Sequence, residues 1–293
     1  MRCLTPIIVM YRDNKPVFAP CGKCECCLVN RQNQWSTRLN EELNNSKQAF
    51  FFTLTYNDEF LPMVFPDYPL SVKRNAIAIC DDDYGNRVPT LWKKDIQDFM
   101  KRLRNHFSSK SIVFYAIGEY GPDTHRPHYH GLIFFKDRLH LKSHIEDLFN
   151  KSWKNGFISL DDVNQSRIDY VSGYFLSKLW SPAGVQPCFS QMSKGIGKDY
   201  ITRMSEWHWN GGTDRFYVPY MDKKRPLPRY YKEKIYDSVF KEDFNQIMQE
   251  KAEQEHLQQL EEFGNEESLK AHQYELRAST ARQIRKLHKK KML

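Results

Sequence analysis

The stretch Ile112 to Phe135, IVFYAIGEYGPDTHRPHYHGLIFF, constrains the fold more than any other part of the chain. Two apolar runs rich in β-branched and aromatic residues flank a segment containing Gly121, Pro122, Asp123 and Pro127. This pattern predicts two antiparallel strands joined by a wide turn, because such side chains suit a pleated surface and Gly and Pro interrupt it. Alternate residues of a strand point to opposite faces, so His128 and His130 share one face and Tyr129 takes the other. Glu119 has the parity of Val113, Tyr115 and Ile117 and falls at the turn-proximal end of the first strand. Pairing in that register brings one carboxylate and two imidazoles together at the mouth of the hairpin. Two nitrogens and one oxygen on rigid strands suit an open divalent-metal site. An ordinary polar sheet face is the other reading of a His-x-His pair.

The 293 residues allow one large or two modest domains. An apolar content of 40% with 14% aromatics supports a packed core and excludes wholesale disorder. No apolar run approaches the ~20 residues needed to span a bilayer. The N-terminal MRCLTPIIVMYRDNK lacks the apolar stretch and cleavage site of a signal peptide. The expectation is therefore a cytoplasmic protein without a membrane partner, whose seven cysteines are thiols or metal ligands rather than disulfides. Basic and acidic residues cancel beyond Tyr230, so the net charge of +8 resides in residues 1–229. Interleaved with aromatics, that excess suits a polyanion such as nucleic acid.

Near the N-terminus, Cys3 stands in an apolar segment and CGKCECC supplies Cys21, Cys24, Cys26 and Cys27. A Cys-x-x-Cys followed by a third cysteine three residues later suits tetrahedral zinc ligation, with Cys3 returned by a hairpin through Asp13, Asn14 and Lys15. Cys3, Cys21, Cys24 and Cys27 form the favoured structural zinc set, and Cys26 is spare. A cluster of reduced thiols is the alternative. Leu28, Trp35, Leu39 and Leu43 are spaced for a helix. AFFFTLTY then predicts a central strand. Residues 57–90 read as an insertion with a short strand near Ala76 to Cys80. Thr90 is expected to cap a helix buried through Trp92, Ile96, Phe99 and Leu103. A helix over Leu141 to Trp153 and a strand over Phe157 to Leu160 follow.

SRIDYVSGYFLSKLW predicts a second informative helix, opened by Ser166 and Asp169 as a capping box and running to Trp180. Tyr170, Tyr174 and Lys178 fall at i, i+4 and i+8 on one face. A phenol is a weak nucleophile at neutral pH because its pKa is ~10; a lysine and a metal-polarised phosphate would assist it. Packed rings with hydroxyls reaching water are the bland alternative. Lys194, Gly195, Gly197 and Lys198 offer backbone amides to a phosphate. EWHWNGGTDRFYVPYM predicts a hairpin turning at Asn210, Gly211 and Gly212. KKRPLPRYY leaves the core, and the Glu-, Gln- and Lys-rich remainder predicts helices ending in a basic KLHKKKML.

In order along the chain, FFTLTY (Phe51 to Tyr56), the HYH at His128 to His130, and the helix carrying Tyr170 to Lys178 resemble the three motifs of HUH-superfamily rolling-circle replication initiators. Glu119 in IGEYG matches that superfamily's further metal ligand. The likeness is closest to the replication initiation proteins of microviruses, the gokushovirus-like single-stranded DNA bacteriophages. It extends through CGKCECCLVNRQNQW, GEYG with RPHYHGLIF, YVSGY, SKGIG and PLPRYY, covering about residues 1–231. The resemblance implies an α+β fold with a central antiparallel β-sheet flanked by helices, a cysteine-rich N-terminal element over 1–45, an endonuclease core over 46–229, and a charged helical C-terminal tail over 230–293. It implies a nickase and strand-transferase that cuts single-stranded or origin duplex DNA, leaves a 3′-hydroxyl and a 5′-phosphotyrosyl link, and uses Mg2+ or Mn2+ held by Glu119, His128 and His130. Tyr170 and Tyr174 would act in turn, assisted by Lys178. Lys178 follows Tyr174 by four residues where many relatives have three, and Gly173 stands between the tyrosines where some have lysine. Host helicase and polymerase are implied partners, and the bacterial host cytoplasm the location. A plasmid initiator, relaxase or transposase, or a non-enzymatic single-stranded nucleic-acid binder, are the alternatives.

Overall fold

The computed structural model describes residues 3–12, 15–64, 88–107, 111–137, 139–177, 184–220 and 223–292. In chain order the elements are β1 (Ile7–Arg12), β2 (Lys15–Ala19), α1 (Glu25–Asn44), β3 (Gln48–Tyr56), β4 (Met63–Val64), β5 (Val88–Pro89), α2 (Lys93–Arg104), β6 (Ile112–Tyr120), β7 (Pro127–Phe135) and α3 (Lys142–Ser152). They continue with β8 (Gly156–Asp162), α4 (Gln165–Ser177), β9 (Phe189–Met192), α5 (Asp199–Gly211), β10 (Tyr217–Tyr220), β11 (Lys223–Pro226), α6 (Arg229–Ile235), α7 (Ser238–Phe263) and α8 (Glu266–Met292). The backbone forms two compact units, one of residues 36–199 and one of residues 1–35 with 200–293.

The unit of residues 36–199 is α+β, as expected. Its five strands lie in the order β8-β3-β7-β6-β9, every neighbouring pair antiparallel. Strict alternation along β3 sends Phe50, Phe52, Leu54 and Tyr56 into one core, where Tyr129, Ile133 and Phe135 of β7 join them. Ile96, Phe99, Met100 and Leu103 of α2 and Ile145, Leu148 and Phe149 of α3 cover that face. Each such side chain is worth about 1.5–3 kcal/mol when removed from water. Packing here is close enough that a Cβ on Gly131 would lie 2.3 Å from the Phe52 ring. The opposite face carries the odd-numbered residues of β3, the two histidines of β7, and the crossing helix α4. The turn from β6 to β7 closes through Gly121 N–H donating to the Arg126 carbonyl at 3.0 Å, with His125 at a left-handed φ of 53°.

Several local expectations need correction. Thr90 does not cap α2: the helix starts at Lys93 with no side-chain cap, and the Thr90 hydroxyl accepts from Gln186 N–H. Phenols from the sheet take over, the Trp92 N–H going to Tyr129 Oη at 3.1 Å and the Leu91 N–H to Tyr120 Oη at 3.0 Å. Ser166 and Asp169 form no capping box on α4; Asn164 Oδ1 accepts from the Arg167 N–H at 2.9 Å and does the capping. The loop after α4 contains an unforeseen edge strand, β9, paired to β6. The Gly197 amide is not open to phosphate, because it donates to Glu42 Oε2 at 2.7 Å. The strand expected at Ala76 to Cys80 lies outside the described residues, while β4 and β5 pair across that insertion.

In the other unit, the expected hairpin at Asn210 to Gly212 is the end of helix α5. Tyr200, Met204 and His208 follow helical spacing there, and buried His208 bonds Tyr200 Oη at 2.8 Å and the Arg215 carbonyl at 2.7 Å. The true hairpin is β10–β11. PLPRYY does not leave the core: Leu227 and Tyr231 are buried with Tyr200, Val218, Ile235 and Tyr236. Helices α7 and α8 follow, as the composition beyond Tyr230 predicted. No helix among the described residues is long and apolar enough to cross a membrane.

Candidate functional site

The register of the central hairpin sets the site. Glu119 pairs with His128 and Ile117 with His130, so carboxylate and imidazoles emerge on one face. Glu119 Oε1 lies 3.0 Å from His128 Nε2 and 3.5 Å from His130 Nε2, and all three ligand atoms lie within 4.8 Å of one another. Glu119 is only 2% exposed, while the imidazoles are partly open.

Their outer nitrogens are engaged. His128 Nδ1–H donates to the Arg126 carbonyl at 3.0 Å, which leaves the neutral ring with an unprotonated Nε2. His130 Nδ1 meets Thr53 Oγ1 at 2.8 Å. In that tautomer the lone pair of His128 Nε2 faces a carboxylate oxygen across 3.0 Å. Two acceptors at that distance, one of them a buried carboxylate, are stable only with a cation between or upon them. The donor set therefore fits a divalent metal ion on an observation of geometry, and Thr53 and the Arg126 carbonyl are the groups that would orient its ligands. Phe51 stacks on the His130 ring, centroids 5.4 Å apart and 22° between planes, and holds that imidazole from its other side.

Helix α4 brings the phenol. Tyr170 Oη donates to Glu119 Oε1 at 2.5 Å, and its ring meets His130 edge-on at 5.4 Å. Burial, and then the Glu119 charge, raise the Tyr170 pKa above that of an ordinary phenol, so the hydroxyl keeps its proton and directs it at the carboxylate. The tyrosine is nonetheless 38% exposed. Arg167, one turn earlier, lies over Phe51 at 5.3 Å and pairs with Asp161 at 3.1 Å. Tyr174 follows one turn later on the α4 backbone. The Tyr174 side chain and all of Lys178 lie outside the described residues.

Of the expected site residues, then, Glu119, His128, His130 and Tyr170 come together. Thr53, Phe51 and Arg126 belong to the same site and were not singled out from sequence, although Phe51, Thr53 and Thr55 already shared a parity on the strand.

A second constellation stands in the other unit. The sulfur atoms of Cys3, Cys21, Cys24 and Cys27 also lie within 4.8 Å of one another, Cys3 Sγ to Cys24 Sγ being 3.8 Å. The hairpin β1–β2 returns Cys3 to the start of α1. Backbone N–H groups point at these sulfurs: Leu4 and Cys24 at Cys24 and Cys21, each at 3.3 Å, and Cys21 at Cys3 at 3.2 Å. The Thr5 hydroxyl, then the Lys23 and Cys24 amides, lower the Cys21 thiol to about 6, whereas burial raises Cys27. Cys26 is buried apart from the converging four.

With this geometry in view, the comparisons decide between lineages. The family model for the replication-associated protein ORF2 type matches residues 49–179, a span holding Glu119, both histidines and both tyrosines. This chain is a relative of microvirus-like replication initiators. It is 28% identical over 251 residues to the replication-associated protein ORF2 of Spiroplasma virus 4, covering 76% of this chain and 72% of that protein. Replication-associated protein VP4 of Bdellovibrio phage phiMH2K is 25% identical over 262 residues, 80% of this chain and 76% of its own length. Replication-associated protein ORF4 of Chlamydia phage 1 is 24% identical over 176 residues, 54% of this chain and 38% of its own. No solved structure matches.

Proposed function

We propose that this replication protein is an HUH-class endonuclease that nicks one strand of origin DNA through a tyrosine and later rejoins strands in rolling-circle replication. The observation that carries this reading is the Tyr170 hydroxyl bonded to Glu119 Oε1 at 2.5 Å, the same oxygen that faces His128 and His130. A nucleophile and a metal-ligand set on one carboxylate are what phosphodiester attack requires.

Glu119, His128 and His130 would hold the ion, and Mg2+ or Mn2+ suits their mixed nitrogen and oxygen donors and the transient binding of phosphate. When bound, the ion supplies positive charge to the non-bridging phosphate oxygens. Tyr170 has its proton directed at Glu119, so that carboxylate is placed to receive it as the phenolic oxygen bonds to phosphorus. The P–O3′ bond breaks, the 3′-oxygen leaves as a hydroxyl after taking a proton from water, and the 5′-phosphate stays on the tyrosine. Tyr174, one turn along α4, is the second nucleophile for the regenerated origin, and Lys178 its assisting cation. Single-stranded or origin duplex DNA is the substrate; host helicase and polymerase extend the 3′-hydroxyl in the bacterial cytoplasm.

The test uses labelled single strands tiling the replicon that encodes the chain, with manganese, read on denaturing gels. An adduct that persists in Tyr170→Phe and in Tyr174→Phe but is lost in the double variant is the expected result. Absence of any adduct with any divalent metal leaves the protein a nucleic-acid binder.

For the second constellation we infer a structural zinc ion held by Cys3, Cys21, Cys24 and Cys27. Four thiolates leave no open position, and the N–H donors converging on their sulfurs neutralise part of the charge such a set carries. This ion would fasten β1–β2 to the first turn of α1 and take no part in cleavage.

A further inference from the structure

The face of the sheet that bears the metal ligands continues past them to a largely exposed aromatic residue. Phe157 on β8 pairs with Thr55, and Thr55 pairs on its other side with His128, which pairs in turn with Glu119. Paired residues of antiparallel strands point the same way, and the Thr53 contact to His130 establishes that this is the site face. Phe157, Thr55, His128 and Glu119 thus form one row across four strands. Strands lie ~4.8 Å apart, which puts Phe157 about 10 Å from His128 and about 14 Å from Glu119.

Most aromatic residues of this unit are buried, yet Phe157 is 67% exposed. Leaving a phenyl ring in water forgoes stabilisation that the same residue gains elsewhere in the fold. Cations flank it. Lys154 is exposed just before β8. Arg126 reaches the Tyr56 carbonyl at 2.9 Å, in the next row, and its other partner is Asp58, which is 92% exposed. An ion pair that exposed is weak, so a phosphate can take its place. A flat apolar ring between two cations, in line with a phosphate-directed site, has the make-up of a single-stranded nucleic-acid platform.

We propose that Phe157 is a base-stacking platform, on which a nucleobase of single-stranded DNA lies one or two nucleotides from the phosphate held at Glu119, His128 and His130. The proposal rests on the nickase reading for the position of that phosphate. Arg126 and Lys154 contact the intervening backbone, and Thr55, being small, leaves the path between ring and site open. Stacking accepts any base, so the platform contributes grip and register rather than the origin sequence.

The test is equilibrium binding of fluorescein-labelled oligothymidylate in EDTA, where no cleavage occurs, together with adduct formation on origin strands in manganese. Phe157→Ala should weaken binding about tenfold, the contribution of one stacked base, whereas Phe157→Trp should restore it. With a 2-aminopurine base placed next to the mapped nick, wild type should quench its fluorescence and Phe157→Ala should not. An exposed ring can be removed without unfolding the sheet, and circular dichroism checks this. Wild type that binds and forms the adduct, with Phe157→Ala equal in affinity and quenching, overturns the platform and leaves the nickase standing. Weakened binding by Phe157→Ala in a protein that forms no adduct supports the platform and removes the nickase. A wild type with no affinity for the oligonucleotide overturns both.

Discussion

The two constellations of ligating side chains are built in opposite ways. Glu119, His128 and His130 stand on strands paired on both sides, so backbone ladder bonds position them before any ion arrives. Cys3, Cys21, Cys24 and Cys27 stand on a two-stranded hairpin and the lead into a helix, and few packed neighbours hold those pieces together. The outer face of β1 is apolar and open, with Ile7, Ile8, Val9 and Met10 all exposed. An isolated two-stranded hairpin is marginal in water, so there the ligands must organise the backbone. At the sheet the backbone organises the ligands. The sheet set has three protein ligands and a fourth side open to substrate; the thiolate set is complete in itself. The lesson is that an ion adds stability where the chain cannot fold without it, and adds chemistry where the chain already has.

The strongest way to break this contrast is to remove zinc. Structural zinc contributes ~10–16 kcal/mol in small zinc-dependent folds, so chelation or Cys24→Ser should cost the N-terminal hairpin its order. Elemental analysis should find one zinc per chain in wild type and none in the variant. Limited proteolysis should then cut between β1 and α1 while the core from β3 to β9 stays resistant. A metal-free wild type with the same resistance at the hairpin returns the cysteines to reduced thiols.

A smaller effect on folding, with a large one on chemistry, is expected from His128→Ala with His130→Ala. The ladder does not depend on these side chains, so the variant should keep its sheet and its affinity for single strands. Adduct formation should fall by about 10³-fold or more, the loss of metal-assisted charge stabilisation being worth several kcal/mol. Unchanged adduct formation would refute the assignment of these imidazoles as ligands.

The same contrast accounts for what was legible beforehand. The hairpin of β6 and β7 could be read in detail because period-two alternation carries parity, and parity alone places Glu119 with His128 and His130. Tyr170 was visible through helical spacing, although its hydrogen bond to Glu119 arises from how α4 crosses the sheet, which no local pattern encodes. EWHW misled because Trp207 and Trp209 alternate like strand residues, while the buried partner is His208, one turn from Met204 and two from Tyr200. The strand β9 escaped notice because four partly buried residues become a strand only by pairing with β6. Thr90 and Ser166 have side chains that suit caps, but phenols of the sheet serve at α2, and Asn164 serves at α4. Phe157 was seen only as part of a strand, since exposure is a property of what fails to cover it.

The finest test concerns Thr53, whose hydroxyl lies 2.8 Å from His130 Nδ1. If the ladder sets the ligand positions, Thr53 has only to hold the ring's orientation and tautomer. Thr53→Val keeps the β-branched shape that suits β3 and deletes that one hydrogen bond. Loss of such an outer partner typically lowers metal affinity 10–100-fold; with Phe51 still stacked on the imidazole, the lower end is expected here. Calorimetric titration with Mn2+ should therefore show about tenfold weaker binding, and saturating Mn2+ should restore adduct formation. If excess metal fails to restore it, Thr53 does more than orient His130, and the strands alone do not preorganise the site. If affinity is unchanged, Phe51 and the ladder suffice, and the contrast with the cysteine cluster is sharper still.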